Sequence, residues 1–133
     1  MTIFVKNKHT LQIDEFKFRC CIGKNSSSSY KKEGDKKTPK GTFEVENLYF
    51  RKDRLAKPLT LLKCIEIKKD MGWCDDLHFP KKYNKLLKIE KKIKHEKLKR
   101  KDNKYDFLIP IKYNFKKPVT GKGSCIFIHL TKD

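Results

Sequence analysis

One histidine stands at the end of an apolar run near the carboxyl end of the chain, in Gly121-Lys122-Gly123-Ser124-Cys125-Ile126-Phe127-Ile128-His129-Leu130. Imidazole titrates close to neutrality, so it can take a proton from a nucleophile and return it to a leaving group. A histidine among Ile126, Phe127, Ile128 and Leu130 also suits a satisfied place in a core, and the residues alone leave both readings open. His9, His78 and His95 sit in polar or mixed surroundings and ask for no special role. The chain also has five cysteines, Cys20, Cys21, Cys64, Cys74 and Cys125. Cys125 shares a strand face with His129, but four residues at ~3.3 Å each put them about 13 Å apart, beyond hydrogen-bond reach. Cys74 reaches the histidine only through the fold, and Cys20, Cys21 and Cys64 read as core or strand-face thiols.

Two further stretches carry groups capable of chemistry. Residues 32–43, KEGDKKTPKGTF, hold two glycines and a proline turn. A phosphate-cradling loop would enter a helix with a lysine and a hydroxyl after it, whereas here a strand follows. Met71-Gly72-Trp73-Cys74-Asp75-Asp76 places two carboxylates side by side. Acid–base work would need one of them held protonated, and the oxygen spacing of a calcium loop is missing. A turn or cap is the expected use, with Trp73 either in the core or on the wall of a groove. No CxxC pair points to zinc or to a redox motif. No metal or cofactor is expected.

The elements that must position these groups are mostly strands. Apolar alternation marks Ile3-Phe4-Val5, Leu11-Gln12-Ile13, the set Phe16, Phe18, Cys20 and Ile22, then residues 43–45, 59–67, 105–113 and 125–130. Pro110 suggests an edge or a bulge. Residues 81–101 are lysine-rich with Leu86, Ile89 and Ile93 at helical spacing, which predicts one amphipathic helix on the surface of a mainly β protein. A chain of 133 residues fits one domain, residues 1–133, expected as a monomer. The net charge of +18 comes from thirty lysines but only four arginines. Base readout favours the forked guanidinium, so a solvated basic surface with a general attraction for anionic polymers is favoured over a nucleic-acid role. The amino terminus shows no export signal, and no apolar run approaches the ~20 residues of a membrane span.

Taken in order, Glu33-Gly34-Asp35, Thr38-Pro39-x-Gly41, Gly72-Trp73-Cys74-Asp75-Asp76, Tyr105-Asp106, Tyr113-Asn114 and Gly121-x-Gly123-Ser124-x-Ile126-Phe127-x-His129 resemble the L,D-transpeptidase catalytic domain, the YkuD-like family, in its small single-domain branch. The likeness runs from about Phe4 to Leu130. The resemblance implies a β-sandwich-like fold and an acyl transfer on the peptide stems of peptidoglycan, in the cell envelope, through a cysteine thioester. It implies His129 as the general base, and Trp73, Tyr113, Asn114 and Ser124 as substrate-binding residues. The family's nucleophile follows the histidine by roughly a dozen or more residues, in a Ser/Thr-x-Gly-Cys turn. The sequence stops four residues after His129, so a domain truncated before its nucleophile, inactive alone, is expected. Non-catalytic binding of peptidoglycan is the alternative, and a nucleic-acid-binding β domain a more distant one.

Overall fold

Most of the short apolar alternations become strands. The computed structural model describes residues 1–132 and contains twelve of them. β1 (Ile3–Asn7), β2 (Thr10–Ile13) and β3 (Phe16–Arg19) form an antiparallel meander. β4 (Ser27–Ser28) and β5 (Thr38–Pro39) pair in parallel and close the loop between them. β6 (Leu48–Phe50), β7 (Cys64–Glu66), β11 (Phe107–Pro110) and β12 (Phe127–His129) make a four-stranded sheet in the order β12-β11-β6-β7. β8 (Met71–Cys74) lies between β10 (His95–Lys97) and β9 (Leu86–Lys88) in a fourth sheet, antiparallel throughout.

This mainly β arrangement fits the sandwich-like class, but the expected amphipathic helix is absent. Residues 81–101 instead supply both strands that flank β8, with Trp73 opposite Leu86 on one side and Glu96 on the other. The apolar spacing of Leu86, Ile89 and Ile93 misled because it ignored the charges around it. Wound as a helix, the segment would stack Lys81 over Lys85, Lys85 over Lys88, Lys88 over Lys92 and Lys97 over Lys101, and like charges three and four apart destabilise a helix. As short strands joined by turns, the same lysines point into solvent while Ile93 and Leu98 are sealed in the interior. Asn84 enters the segment with φ 54°, outside right-handed helical space.

Other strands are shorter than the alternation suggests. Cys20 and Ile22 lie beyond the end of β3, residues 43–45 contribute only a bridge from Val45 to Ile111, and Leu59 and Leu61 are fully exposed. Pro110 sits inside the four-stranded sheet, at the end of β11 where only β12 still pairs with it. Its missing N–H therefore breaks no ladder bond, and its carbonyl accepts the Glu46 N–H at 2.8 Å.

The core gathers Tyr49, Ile67, Trp73, Leu98 and Leu108, with Phe115, Cys125 and Phe127 packed on them. Trp73 is its centre: its ring meets those of Tyr49, Phe115 and Phe127 at centroid distances of 6.4, 6.3 and 5.4 Å. The meander is different. Its register puts Ile3, Val5, Leu11, Ile13, Phe16 and Phe18 on one face, and Val5, Phe16 and Phe18 remain at least half exposed there. Among the described residues no helix is long and apolar enough to cross a membrane.

Candidate functional site

His129 ends β12, which is an edge strand of its sheet, and its ring is exposed. Strand pairing sets it opposite Leu108 on β11. Its Nδ1 lies 2.6 Å from the carbonyl oxygen of Leu130. A carbonyl only accepts, so Nδ1 carries a proton and, in the neutral ring, the lone pair is on Nε2. The edge of the ring meets the Tyr105 ring at 5.3 Å. Tyr105 is held in turn: its hydroxyl donates to Glu96 at 3.0 Å, and the Arg100 guanidinium covers its ring at 5.1 Å. Burial and then the Glu96 carboxylate push the Tyr105 phenol well above its usual range, so it stays neutral.

The loop that carries Tyr105 is tied down by three of the four arginines. Arg51, itself buried, forks onto Asp53 at 2.8 and 2.7 Å and donates to the Arg100 carbonyl at 2.6 Å. Arg100 forks onto Asp102 at 2.9 and 2.8 Å, and Arg54 reaches Asp106 and the carbonyls of Lys101 and Asp102, each at 2.9 Å. These guanidiniums serve the fold. Leu130 N–H donates to the Lys104 carbonyl at 3.0 Å, so the histidine's own carbonyl partner is fixed by the same loop.

The other four sequence-predicted residues lie towards the opposite end of β12. Ser124 is buried and donates to Glu33 Oε2 at 2.6 Å. The Tyr83 hydroxyl donates to the same oxygen and accepts the Gly123 N–H at 3.1 Å. Burial and Glu33 push the Tyr83 phenol up, out of its usual range. Gly123 has φ 111°, and a Cβ there would meet Lys31 Cε at 2.9 Å, so only glycine fits. Tyr113 donates to the Lys122 carbonyl at 2.7 Å, and Asn114 braces the same turn through Val119 and Gly123. Trp73 is buried in the core and donates through Nε1 to Asn84 at 2.9 Å. Tyr113, Asn114 and Ser124 thus meet around one turn, Trp73 joins them through Asn84, and His129 stands apart beside Tyr105.

Asn84 is a residue that sequence reasoning missed. Its Oδ1 accepts Trp73 Nε1–H and, at 3.2 Å, Cys125 N–H, while its Nδ2 donates to the carbonyls of Tyr113 at 3.2 Å and Asn114 at 2.7 Å. The one available signal was an asparagine, a residue tolerant of left-handed backbone, just after Tyr83.

Among the described residues no thiol is set beside the imidazole to act on it. Cys125 is not on the strand with His129, since β12 begins at Phe127 and Cys125 has φ 54°. Its sulfur turns back towards the Trp73 carbonyl at 3.9 Å, and burial pushes its thiol far up. Cys74 is fully buried and raised for the same reason, and Cys20 is raised by burial and by Cys21. Cys64 lies on β7, at the far edge of the sheet from β12. Cys21 is exposed and donates to Thr131 Oγ1 at 3.3 Å, two residues beyond the histidine. Among the described residues no group of three or more His, Cys, Asp or Glu side chains is gathered to hold a metal ion.

A family model described as the L,D-transpeptidase catalytic domain matches residues 1–133. No curated protein and no solved structure matches the chain.

Two stability measurements follow from this geometry. Asn84→Ala strands two donors and two carbonyls in the interior and is expected to cost about 3 kcal/mol, read as a lowered urea midpoint with unchanged slope. For Asp35, burial alone would raise the pKa, but the hydrogen bond from Lys31 and those from the Lys32 and Lys37 amides win and lower it to about 2. A depressed carboxylate stabilises the fold above its unfolded pKa of ~3.9 and loses that contribution as pH falls through the folded value. Urea midpoints should therefore drop between about pH 4 and pH 2, and Asp35→Asn should remove part of that slope.

Proposed function

We propose, for a chain that belongs to the L,D-transpeptidase catalytic domain family, that His129 is the general base of acyl transfer onto and from the peptide stems of peptidoglycan. The observation that carries this reading is the 2.6 Å contact of Nδ1 with the Leu130 carbonyl. It leaves Nε2 as the open proton acceptor on an exposed strand edge. A catalytic base needs its orientation and tautomer fixed before the substrate arrives, and Tyr105 supplies the second constraint on the ring.

The chemistry divides into two halves. Nε2 takes a thiol proton, the thiolate attacks the carbonyl carbon at the bond between an L-centre and a terminal D-residue, and a thioester forms. The imidazolium returns its proton to the departing amine of the D-residue. An amine of a second stem then attacks the thioester, gives its proton to Nε2, and the thiol is regenerated with a new amide in place. Neither Cys125 nor Cys74 suits the nucleophile, because burial favours the neutral thiol and both sulfurs are packed. We assign the nucleophile to a Ser/Thr-x-Gly-Cys turn outside residues 1–133, with the described chain supplying the base and no turnover by itself. Ser124, Tyr113 and Asn114 act on substrate in this reading through the turn they build, and Trp73 through the core that supports it.

A second reading, non-catalytic binding to peptidoglycan, draws on the +18 charge carried mostly by lysine. Salt would weaken such binding steeply.

Intact-mass spectrometry after incubation with a carbapenem separates these readings. Residues 1–133 should gain no adduct. The same chain followed by a Ser/Thr-x-Gly-Cys turn should gain one, on the new cysteine, and His129→Ala should slow it by about 100-fold or more. An adduct on Cys21 of the 133-residue chain, or equal acylation with and without His129, overturns the assignment. Retention on purified sacculi without any acylation of the extended chain favours the binding module.

A further inference from the structure

Leu59 and Leu61 lie in the connection between β6 and β7, and each is 106 % exposed, so no described residue shields either side chain. One leucine in water is ordinary on a protein surface, but two on one loop tip form an apolar projection. The base of the loop is firmly held. The Arg54 and Leu55 N–H groups both donate to the Arg51 carbonyl at 2.9 Å, the Arg54 guanidinium holds the carbonyls of Lys101 and Asp102, and the Lys63 carbonyl accepts the Leu48 N–H at 2.9 Å. Between these ends residues 56–61 make no backbone–backbone hydrogen bond among the described residues, and Thr60 Oγ1 accepts the Leu62 N–H at 3.1 Å. The tip is therefore free to adapt while its base stays in place.

Cations flank it. Lys57 stands two residues before Leu59 and Lys63 two residues after Leu61, and both are exposed. Lys52, Lys68 and Lys69, at the two ends of the connection and beyond β7, are exposed as well. The carboxylates nearby are already engaged: Asp53 is forked by Arg51, and Glu66 lies 4.0 Å from Lys52.

We propose that this loop docks the protein on an anionic lipid surface, with Leu59 and Leu61 entering the boundary of the acyl chains and Lys57 and Lys63 meeting the phosphates of the head groups. Apolar burial and attraction between lysine and anionic lipid add together in such docking, and the loop offers both at one place. The open backbone of residues 56–61 limits the depth, because its amides must stay where head groups and water still reach them. The apolar face of the β1–β3 meander suits a membrane less well: Lys6, Lys17 and Arg19 alternate onto its reverse side, so laying that face on lipid would hold these cations away from the phosphates. A second copy of the chain is also a poor occupant, since both copies carry a net charge of +18. The inference needs neither acyl transfer nor a nucleophile.

Co-sedimentation of the 133-residue chain with vesicles tests it. The chain should bind vesicles of phosphatidylglycerol mixed with phosphatidylcholine, more weakly as salt is raised, and should not bind phosphatidylcholine alone. Leu59→Ser combined with Leu61→Ser should weaken binding at least about tenfold. The urea midpoint should not change, because side chains this exposed pack on nothing. Lys57→Gln with Lys63→Gln should weaken binding by a smaller factor, and Phe16→Ser on the meander should leave it unaltered. An indole introduced at the tip by Thr60→Trp should be quenched by lipids brominated on their acyl chains, whereas Trp73, buried in the core, should not. Undiminished binding of the double leucine variant, an unquenched indole at the tip, or loss of binding in Phe16→Ser overturns the proposal. Self-association abolished by the leucine substitutions, without vesicle binding, assigns the loop to a second copy and overturns it as well.

Discussion

One buried side-chain amide ties this molecule together. Asn84 uses both donors and two acceptor positions on groups from three other segments: the Trp73 indole, the carbonyls of Tyr113 and Asn114, and the Cys125 N–H. Those partners lie between 11 and 41 residues away in sequence. A buried amide with all its bonds made is favourable, whereas one with some lost leaves several groups unpaired at once. The geometry is therefore cooperative. The β8 sheet, the 113–124 turn and the entry to β12 hold their places relative to each other because one residue bonds to all of them.

From that anchor β12 runs outward through Phe127, packed on Trp73, to His129 at an open edge. The strand's two ends do different work. The Ser124 end is locked by Glu33, Tyr83 and the close approach of Lys31 to Gly123. The His129 end leaves one ring nitrogen open, while the carbonyl of Leu130 and the edge of Tyr105 fix how that ring is presented. An acid–base group needs this combination of a rigid approach and an accessible atom. The basic surface has less to do with it. The arginines best placed to recognise an anion are forked onto Asp53 and Asp102 and hold the Tyr105 loop.

Much of this was legible in the sequence, and the failures have physical causes. Period-two alternation located β1, β2, β3, β11 and β12 because a strand with one apolar face writes that pattern directly. The spaced motifs picked out Gly121, Gly123, Ser124, Trp73 and His129, and the family match covers the same span, but the strand that carries Trp73 was not foreseen. Residues 81–101 were misread as a helix because three apolar residues at helical spacing fit a helix as well as they fit two strands and their turns. The lysine spacing, and the availability of both edges of β8, decided otherwise. Cys125 was expected to continue the final strand, but its left-handed backbone turns it away from the run that carries the histidine.

By itself the sequence determined the strand-rich character and the histidine that ends the last strand, since each depends on a repeat only two residues long. The tertiary structure alone decided which polar groups meet. The four bonds of Asn84, the shared carboxylate of Glu33 and the ring of Tyr105 against His129 all join residues far apart in the chain. Hydrogen bonds and burial depend on distances in space, and no local pattern encodes which distant segment will close them.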